Sequence, residues 1–393
     1  MFKKSFLLIF FVLFSISLYA QNNSYTIQYL KGNITDKTRA IKESTGSESD
    51  YLANRAIEYA LENKELLGTD RDLDALVVAA VLSISDDYLK NSNDEEKVKF
   101  SEKLYNLYSN FEDSNTVEIA ILTKLESIKD LLPIEKFVNN LNNKLKNENM
   151  NDMDPSFLKT TLSSLEKMGN TESFIILYYF YSAYKYPKFE EEIEKTLITL
   201  SPNAVNEILG FIKEADSNQL KRIYSLTTKT QKLSKNNVCI IAENLLNRSI
   251  LLMGDSSKIL PEDIDLQITC LKILADNKWT RASDSVLSYF QITKSLYKIN
   301  SIKDEDFTFV ISSLSSITPL KAVSPLTSYL EELNGRKENG EEVSSSVILS
   351  LINTLGAIGD KAAFDSLLAV TYLSYEEAIL SAARQALSGL RWQ

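Results

Sequence analysis

The sequence has no histidine, only two cysteines, and eleven glycines and seven prolines in 393 residues. Each shortage excludes something. Without imidazole there is no Ser-His-Asp or Cys-His nucleophile pair, no histidine zinc site and no general base of that kind. Glycine and proline together fall well below half of their average share of roughly 12%. That is too few for the hairpins of an all-β sandwich or barrel, which need turn residues at fixed offsets. The signatures GxxxxGK[ST], GxSxG and HExxH are missing, as is GxGxxG after a strand. Gly356-Ala357-Ile358-Gly359 follows no strand and reads as a helix end. The expectation is a chain without catalysis and without a cofactor. A Lys/Arg-dense stripe is also absent: 43 basic residues stand against 53 acidic ones, a net charge of −10, and Lys229 to Lys235 is only a mildly basic turn. Nucleic acid and anionic membrane surfaces are therefore disfavoured as partners.

What is present begins with a leader. Lys3 and Lys4 precede the apolar run Phe6 to Leu18, and Leu18-Tyr19-Ala20 supplies a small residue before Gln21. Residues 1–20 read as a signal peptide; an uncleaved N-terminal anchor is the alternative. No later stretch is long and apolar enough to span a bilayer, for which roughly 20 residues are needed. The Asn-, Lys- and Ile-rich composition resembles that of AT-rich bacterial genomes, so the expected location is periplasmic or extracellular. In such a compartment Cys239 and Cys270 either form a disulfide or remain two separate buried thiols.

Residues 21–47 are polar and read as a lead-in. From Asp50 the period is helical. Leu52, Ala53, Ala56, Ile57, Ala60 and Leu61 share one face. Asp70 is placed to cap the next helix, whose stripe is Leu73, Leu76, Val77, Ala80 and Val81. The pattern continues to the C-terminus, interrupted by short polar turns and by two longer breaks, Lys146 to Pro155 and Glu331 to Glu342. The second reads as a charged surface loop. About 340 residues of short helices are more than one core usually holds; stacked helix pairs, each sealing the next, meet the need.

Similar segments recur. A leucine near a helix end, then a turn and a new amphipathic helix, starts at Leu125 and Leu165, and again at Leu274, Leu314 and Leu355, with intervals of 40, 40 and 41 residues. That spacing lies in the HEAT/armadillo range. At the C-terminus Leu351 to Asp360 resembles the second helix and turn of a HEAT repeat, and Lys361 to Leu368 the following first helix. Ile379 to Leu387 is similar to the family's "VRxxAxxAL" helix, with Ile379, Ala383, Ala386 and Leu387 in register and Leu380 in the arginine place. The resemblance implies an all-α fold, a right-handed α-solenoid of stacked antiparallel helix pairs, and a habit of binding protein partners. The Asp–Arg ladder that often joins such repeats is not expected here.

Several segments carry candidate site residues. Phe174 to Phe189 (FIILYYFYSAYKYPKF) is either a helix sandwiched between layers or a source of partner anchors, Tyr179, Tyr184 and Tyr186. Glu190 to Glu194 and Asp304 to Asp306 read as solvated helix starts. Asn147, Asn149, Asn151, Asp152 and Asp154 make an oxygen-rich stretch, but Asp152 and Leu158 stand where an EF-hand needs Gly and Glu, so no metal site is expected. Trp392 reads as a cap on the last repeat or as a binding aromatic. The expected organisation is a leader (1–20), a lead-in (21–47), N-terminal helical repeats (48–145) and HEAT-like repeats (146–393) with a charged loop near 331–342. The expected function is an exported binding or scaffold protein for a partner in the cell envelope. A carboxylate-dependent glycan-processing enzyme and a surface adhesin are the alternatives.

Overall fold

The computed structural model describes residues 25–255 and 261–391; the leader and Trp392 lie outside them. The described residues are all-α. Two isolated residues, Asp360 and Arg391, make a lone β-bridge, and no strand occurs among the described residues. No described helix is long and apolar enough to cross a membrane. The chain forms two compact units, Met1–Asn203 and Ala204–Gln393.

In the N-terminal unit, helical residues 25–31 precede α1 (Ile34–Glu43), α2 (Gly46–Leu67), α3 (Arg71–Ser83), a short α4 (Asp86–Asn91), α5 (Asp94–Asn110), α6 (Asn115–Ile128), α7 (Glu135–Asn147), α8 (Pro155–Met168), α9 (Thr171–Ser182) and α10 (Glu190–Leu200). The stripes read from the sequence are the buried faces: Leu73, Leu76, Val77, Ala80 and Val81 are fully covered. Asp70 caps α3 by accepting from the Asp72 and Leu73 amides at 2.7 and 3.2 Å. Capping boxes at Asn33, Asn93 and Asn170 start α1, α5 and α9, each satisfying two amides that a helix start leaves open. Helices α1, α3, α6, α8 and α10 pack in succession, while α2, α5, α7 and α9 lie against them, each helix also touching a chain neighbour.

Part of the expected lead-in is therefore structured. Ala40 and Ile41 of α1 are buried, as is Tyr29, whose carbonyl accepts from Lys37 Nζ at 2.6 Å. The stretch from Lys146 to Pro155 lies inside this unit, anchored by fully buried Met150, and the compact units divide after the Ser201-Pro202-Asn203 punctuation.

The C-terminal unit contains α11 (Val205–Glu214), α12 (Ser217–Lys229), α13 (Lys235–Asp255), α14 (Pro261–Asp276), α15 (Ser283–Lys298), α16 (Asp304–Ile317), α17 (Pro319–Glu338), α18 (Ser345–Ile358), α19 (Phe364–Val370) and α20 (Glu377–Ser388). Here α14, α16, α18 and α20 pack in one succession and α13, α15, α17 and α19 in another, with α15 on α16, α17 on α18 and α19 on α20. Phe290, Phe307 and Tyr329 fill the middle, Phe307 standing 5.9 Å edge-on from Tyr329. The charged loop expected near 331–342 is largely helix. Helix α17 runs on to Glu338 because Leu333 and Asn334 continue its buried stripe, and Asn334 bonds the Ser366 carbonyl at 3.2 Å and the Tyr375 hydroxyl at 3.1 Å. The charges of that stretch lie on its solvent side, and the chain turns only at Gly340, with φ +81°.

The two glycines read as a helix end do different work. Gly359 takes the left-handed conformation that ends α18, and its carbonyl accepts from the Arg391 amide at 2.9 Å. Gly356 lies within α18, where an added Cβ would stand 2.9 Å from Ala386 Cβ on α20. It sets the spacing of those two helices.

Polar links between successive helices include Lys–carboxylate pairs. Glu126 on α6 binds Lys167 on α8, Glu166 on α8 binds Lys195 on α10 at 2.9 Å, and Asp284 on α15 binds Lys321 on α17 at 2.6 Å. Exposed pairs of this kind contribute about 0–1 kcal/mol each. One pair is buried: Glu118 on α6 is 1% exposed and meets Lys144 on α7, whose ammonium also lies over the Tyr108 and Phe157 rings. Burial pushes the Glu118 carboxyl above the ordinary carboxylate range despite the opposing hydrogen bond from Lys144.

Three outcomes follow from this packing. Leu355→Ala, at a fully buried site, is expected to cost about 2–5 kcal/mol in urea unfolding. Gly356→Val is expected to lower the urea midpoint through overpacking, by about 1–3 kcal/mol; an unchanged midpoint would mean that α18 and α20 are not held by this contact. Lys144→Met leaves a buried carboxylate without its cation and should cost about 3–5 kcal/mol at pH 7. A raised folded-state pKa means that protonation favours the folded form, with that contribution present in acid and lost as pH rises through the raised value. The Lys144→Met deficit should therefore shrink from pH 7 to pH 5; a deficit constant across that range contradicts the assignment.

Candidate binding surfaces

The aromatic segment divides by position. On α9, Phe174, Ile176, Leu177, Tyr178 and Tyr181 are buried, and Tyr181 donates to Glu194 on α10 at 3.0 Å. Tyr179 (61% exposed) and Tyr184 (55%) face solvent. Tyr186 does not, which corrects its reading as a partner anchor. It is 3% exposed and meets Phe180 edge-on at 5.0 Å, with Lys185 Nζ over both rings. The cause is local: Lys185 N donates to Phe180 O at 3.0 Å across a left-handed Tyr184, the arrangement of a Schellman helix end, and the Pro187–Phe189 turn then holds Tyr186 inward. The three tyrosines do not make one surface.

Cys239 on α13 and Cys270 on α14 are both buried free thiols. Burial raises both pKa values, that of Cys270 to about 12. The oxygen-rich stretch spends its groups on itself. Asp154 caps α8 through the Ser156 and Phe157 amides, and Asn149 bonds Asp152. Glu190 to Glu192 and Asp304 to Asp306 fill the first turns of α10 and α16. Asp304 also accepts from Ser344 at 2.6 Å, Ser346 at 2.8 Å and Tyr297 at 3.0 Å, and the two serine hydroxyls hold its carboxyl below the usual range. Among the described residues no group of three or more Cys, Asp or Glu side chains is placed to hold a metal ion.

Two surfaces stand out. The first is a shelf on the C-terminal unit. A depression of about 640 Å³ between α16 and α18 adjoins one of about 440 Å³ between α18 and α20, and Asn353 and Ala357 line both. Its residues are small or uncharged apart from Glu305 at one edge. Several hydroxyls turn back onto backbone carbonyls, Ser312 to Phe309 and Ser350 to Thr308, both at 2.9 Å, which removes their donors from the surface. The amides of Asn353 and Gln385 make no side-chain hydrogen bond among the described residues.

The second is a groove of about 840 Å³ on the N-terminal unit, walled by α2, α4 and α5. Ser85 builds one end. Its hydroxyl caps α4 at the Tyr88 amide (3.1 Å) and donates to Asp50 on α2 (2.8 Å), while its amide donates to the other Asp50 oxygen (2.7 Å). Eight residues further along α2, Glu58 holds Lys103 of α5 at 2.7 Å, and that hydrogen bond keeps the Glu58 carboxyl below its ordinary range. Tyr51 (54% exposed) and Tyr88 (37%) present their rings. Neither tyrosine was singled out from the sequence. They lie 37 residues apart, and the one available signal is that both fall off the apolar stripes of their helices.

No family model, no curated protein and no solved structure matches the chain.

Thiol titration tests the cysteine environment. Native protein should release no reactive thiol on the minutes scale, and denatured protein without reductant should release both; reactivity of either thiol in the native state would contradict its burial.

Proposed function

We propose that this chain is an exported, non-catalytic binding or scaffold protein, acting on a protein partner of the cell envelope. In this reading each unit stacks its helix pairs in the manner of a HEAT/armadillo-like α-solenoid, which leaves one face of every helix in a layer open in sequence. The observation that carries it is the shelf across α16, α18 and α20. In a chain with 24% charged residues, three adjacent outward faces bring together serine, threonine, asparagine, glutamine, alanine and glycine with Phe309 and Leu349, and a single glutamate at the rim. A face with no binding role has no reason to exclude charge, whereas the centre of an interface is depleted of charged residues. The non-catalytic reading is supported by the groove's carboxylates, which are tied into structural bonds: Glu58 to Lys103, Glu96 to the Asn93 amide, Asp50 to Ser85.

Placing a photo-crosslinking amino acid at Asn353 in living cells is expected to yield one discrete protein adduct, with the same amino acid at exposed Leu66, in the other unit, giving none of that species. Absence of any specific adduct from Asn353 would contradict the reading.

A further inference from the structure

The groove walled by α2, α4 and α5 has its charges matched and its uncharged groups open. Ser85 donates to both Asp50 oxygens, Glu58 holds Lys103 and Arg55, Asp87 holds Lys90, and Glu96 accepts from the Asn93 amide. A cation entering the groove finds every acid partnered. An anion meets four carboxylates against Lys103 alone. The opening is therefore suited to a neutral ligand. What faces that ligand is aromatic and hydroxylic. Tyr51 and Tyr88 are partly exposed, and Phe100 meets Tyr88 edge-on at 6.3 Å, which steadies its ring. The hydroxyls of both tyrosines, the Ser47 hydroxyl and the Asn91 amide line the same space and make no side-chain hydrogen bond among the described residues.

From this we infer that the groove binds a neutral glycan chain, its sugar rings lying on Tyr51 and Tyr88 and its hydroxyls meeting Ser47, Asn91 and the remaining lone pairs of Asp87 and Glu96. A sugar ring has a C–H face that covers an aromatic ring and a hydroxyl rim that both donates and accepts. Tyrosine offers the matching pair, an apolar body and a polar tip. A carboxylate with one donor in place still accepts others, having about four lone-pair sites. A wholly apolar ligand would leave these polar groups unpaired, which costs affinity. The size suits a chain more than a single sugar. The space is about 840 Å³, large for a small-molecule site, and its α2 wall from Ser47 to Glu58 runs about 16 Å at the helical rise. The carboxylates are held in structural bonds, so the glycan is bound without being cleaved. This function goes beyond the protein-binding reading and stands independently of the shelf on the other unit.

The test is isothermal titration calorimetry of the full chain with cellohexaose, N-acetylchitohexaose, maltohexaose, mannohexaose and xylohexaose. A galacturonate hexamer, a glucosamine hexamer and an uncharged Gly-Ser peptide serve as comparisons. At least one neutral hexasaccharide should bind, with an affinity that salt does not weaken, and the three comparisons should not. Tyr51→Ala and Tyr88→Ala should each weaken that binding about tenfold, the equivalent of losing one good contact. Tyr51→Phe, which keeps the ring, should retain most of it. Tyr179→Ala, which removes an exposed tyrosine elsewhere in the same unit, should leave it unchanged. Tyr51 is exposed, so its variant decides the matter if Tyr88→Ala fails to fold by circular dichroism. The inference is overturned if none of the neutral hexasaccharides binds or if Tyr51→Ala binds as the wild type does. It is equally overturned if the glucosamine hexamer or the peptide binds as tightly as the best glycan. Glycan binding without an adduct from Asn353 defeats the shelf alone; an adduct from Asn353 without glycan binding defeats the groove alone.

Discussion

Every described helix is held by the helix beside it. Most described helices are 10 to 22 residues long, a length at which an isolated helix is marginal in water. What stabilises each is an apolar stripe covered on two sides, by the chain neighbour and by the next helix in its own layer. The coverage of Leu73, Val77 and Val81 on α3 and of Leu351, Ile352 and Leu355 on α18 shows the same solution in both units. A stripe covered in this way leaves the opposite side of the helix with no structural duty, and those opposite sides are where the shelf and the groove lie.

Electrostatics refine the packing without creating it. Caps satisfy the helix starts, and Lys–carboxylate pairs join successive layers at the surface. Charge becomes consequential where water is excluded. Glu118 has its lysine and is enclosed. Asp50 has only a serine, and it faces an open groove. These two acids lie in the same unit and differ in what satisfies them, a lysine in one case and the cap of α4 in the other.

Much of the fold was legible because its determinants are local. Asp70 followed by the Leu73 stripe gives a helix start and its buried face within a dozen residues, and Gly359 marks a helix end by its own conformational freedom. The charged stretch after Glu331 was misleading because composition suggested a loop, while the deciding contact, Asn334 with Ser366 and Tyr375, lies more than thirty residues away. Tyr186 looked like its exposed neighbours, and only the turn at Pro187 places it inside. The binding surfaces were the least legible. Asp50, Tyr51 and Tyr88 come together through the Ser85–Asp50 hydrogen bonds that tie the start of α4 to α2, and nothing in the spacing of 37 residues announces it.

The central claim is that each helix is stabilised by those packed beside it, so that protection must follow how fully a helix is covered within its unit. Native-state hydrogen exchange of the full chain, read helix by helix, tests this directly. The account predicts the slowest exchange in helices enclosed by two layers, such as α3, α6, α16 and α18, and faster exchange in α1, α19 and α20. Uniform exchange across all helices, or α20 as slow as α16, would contradict it.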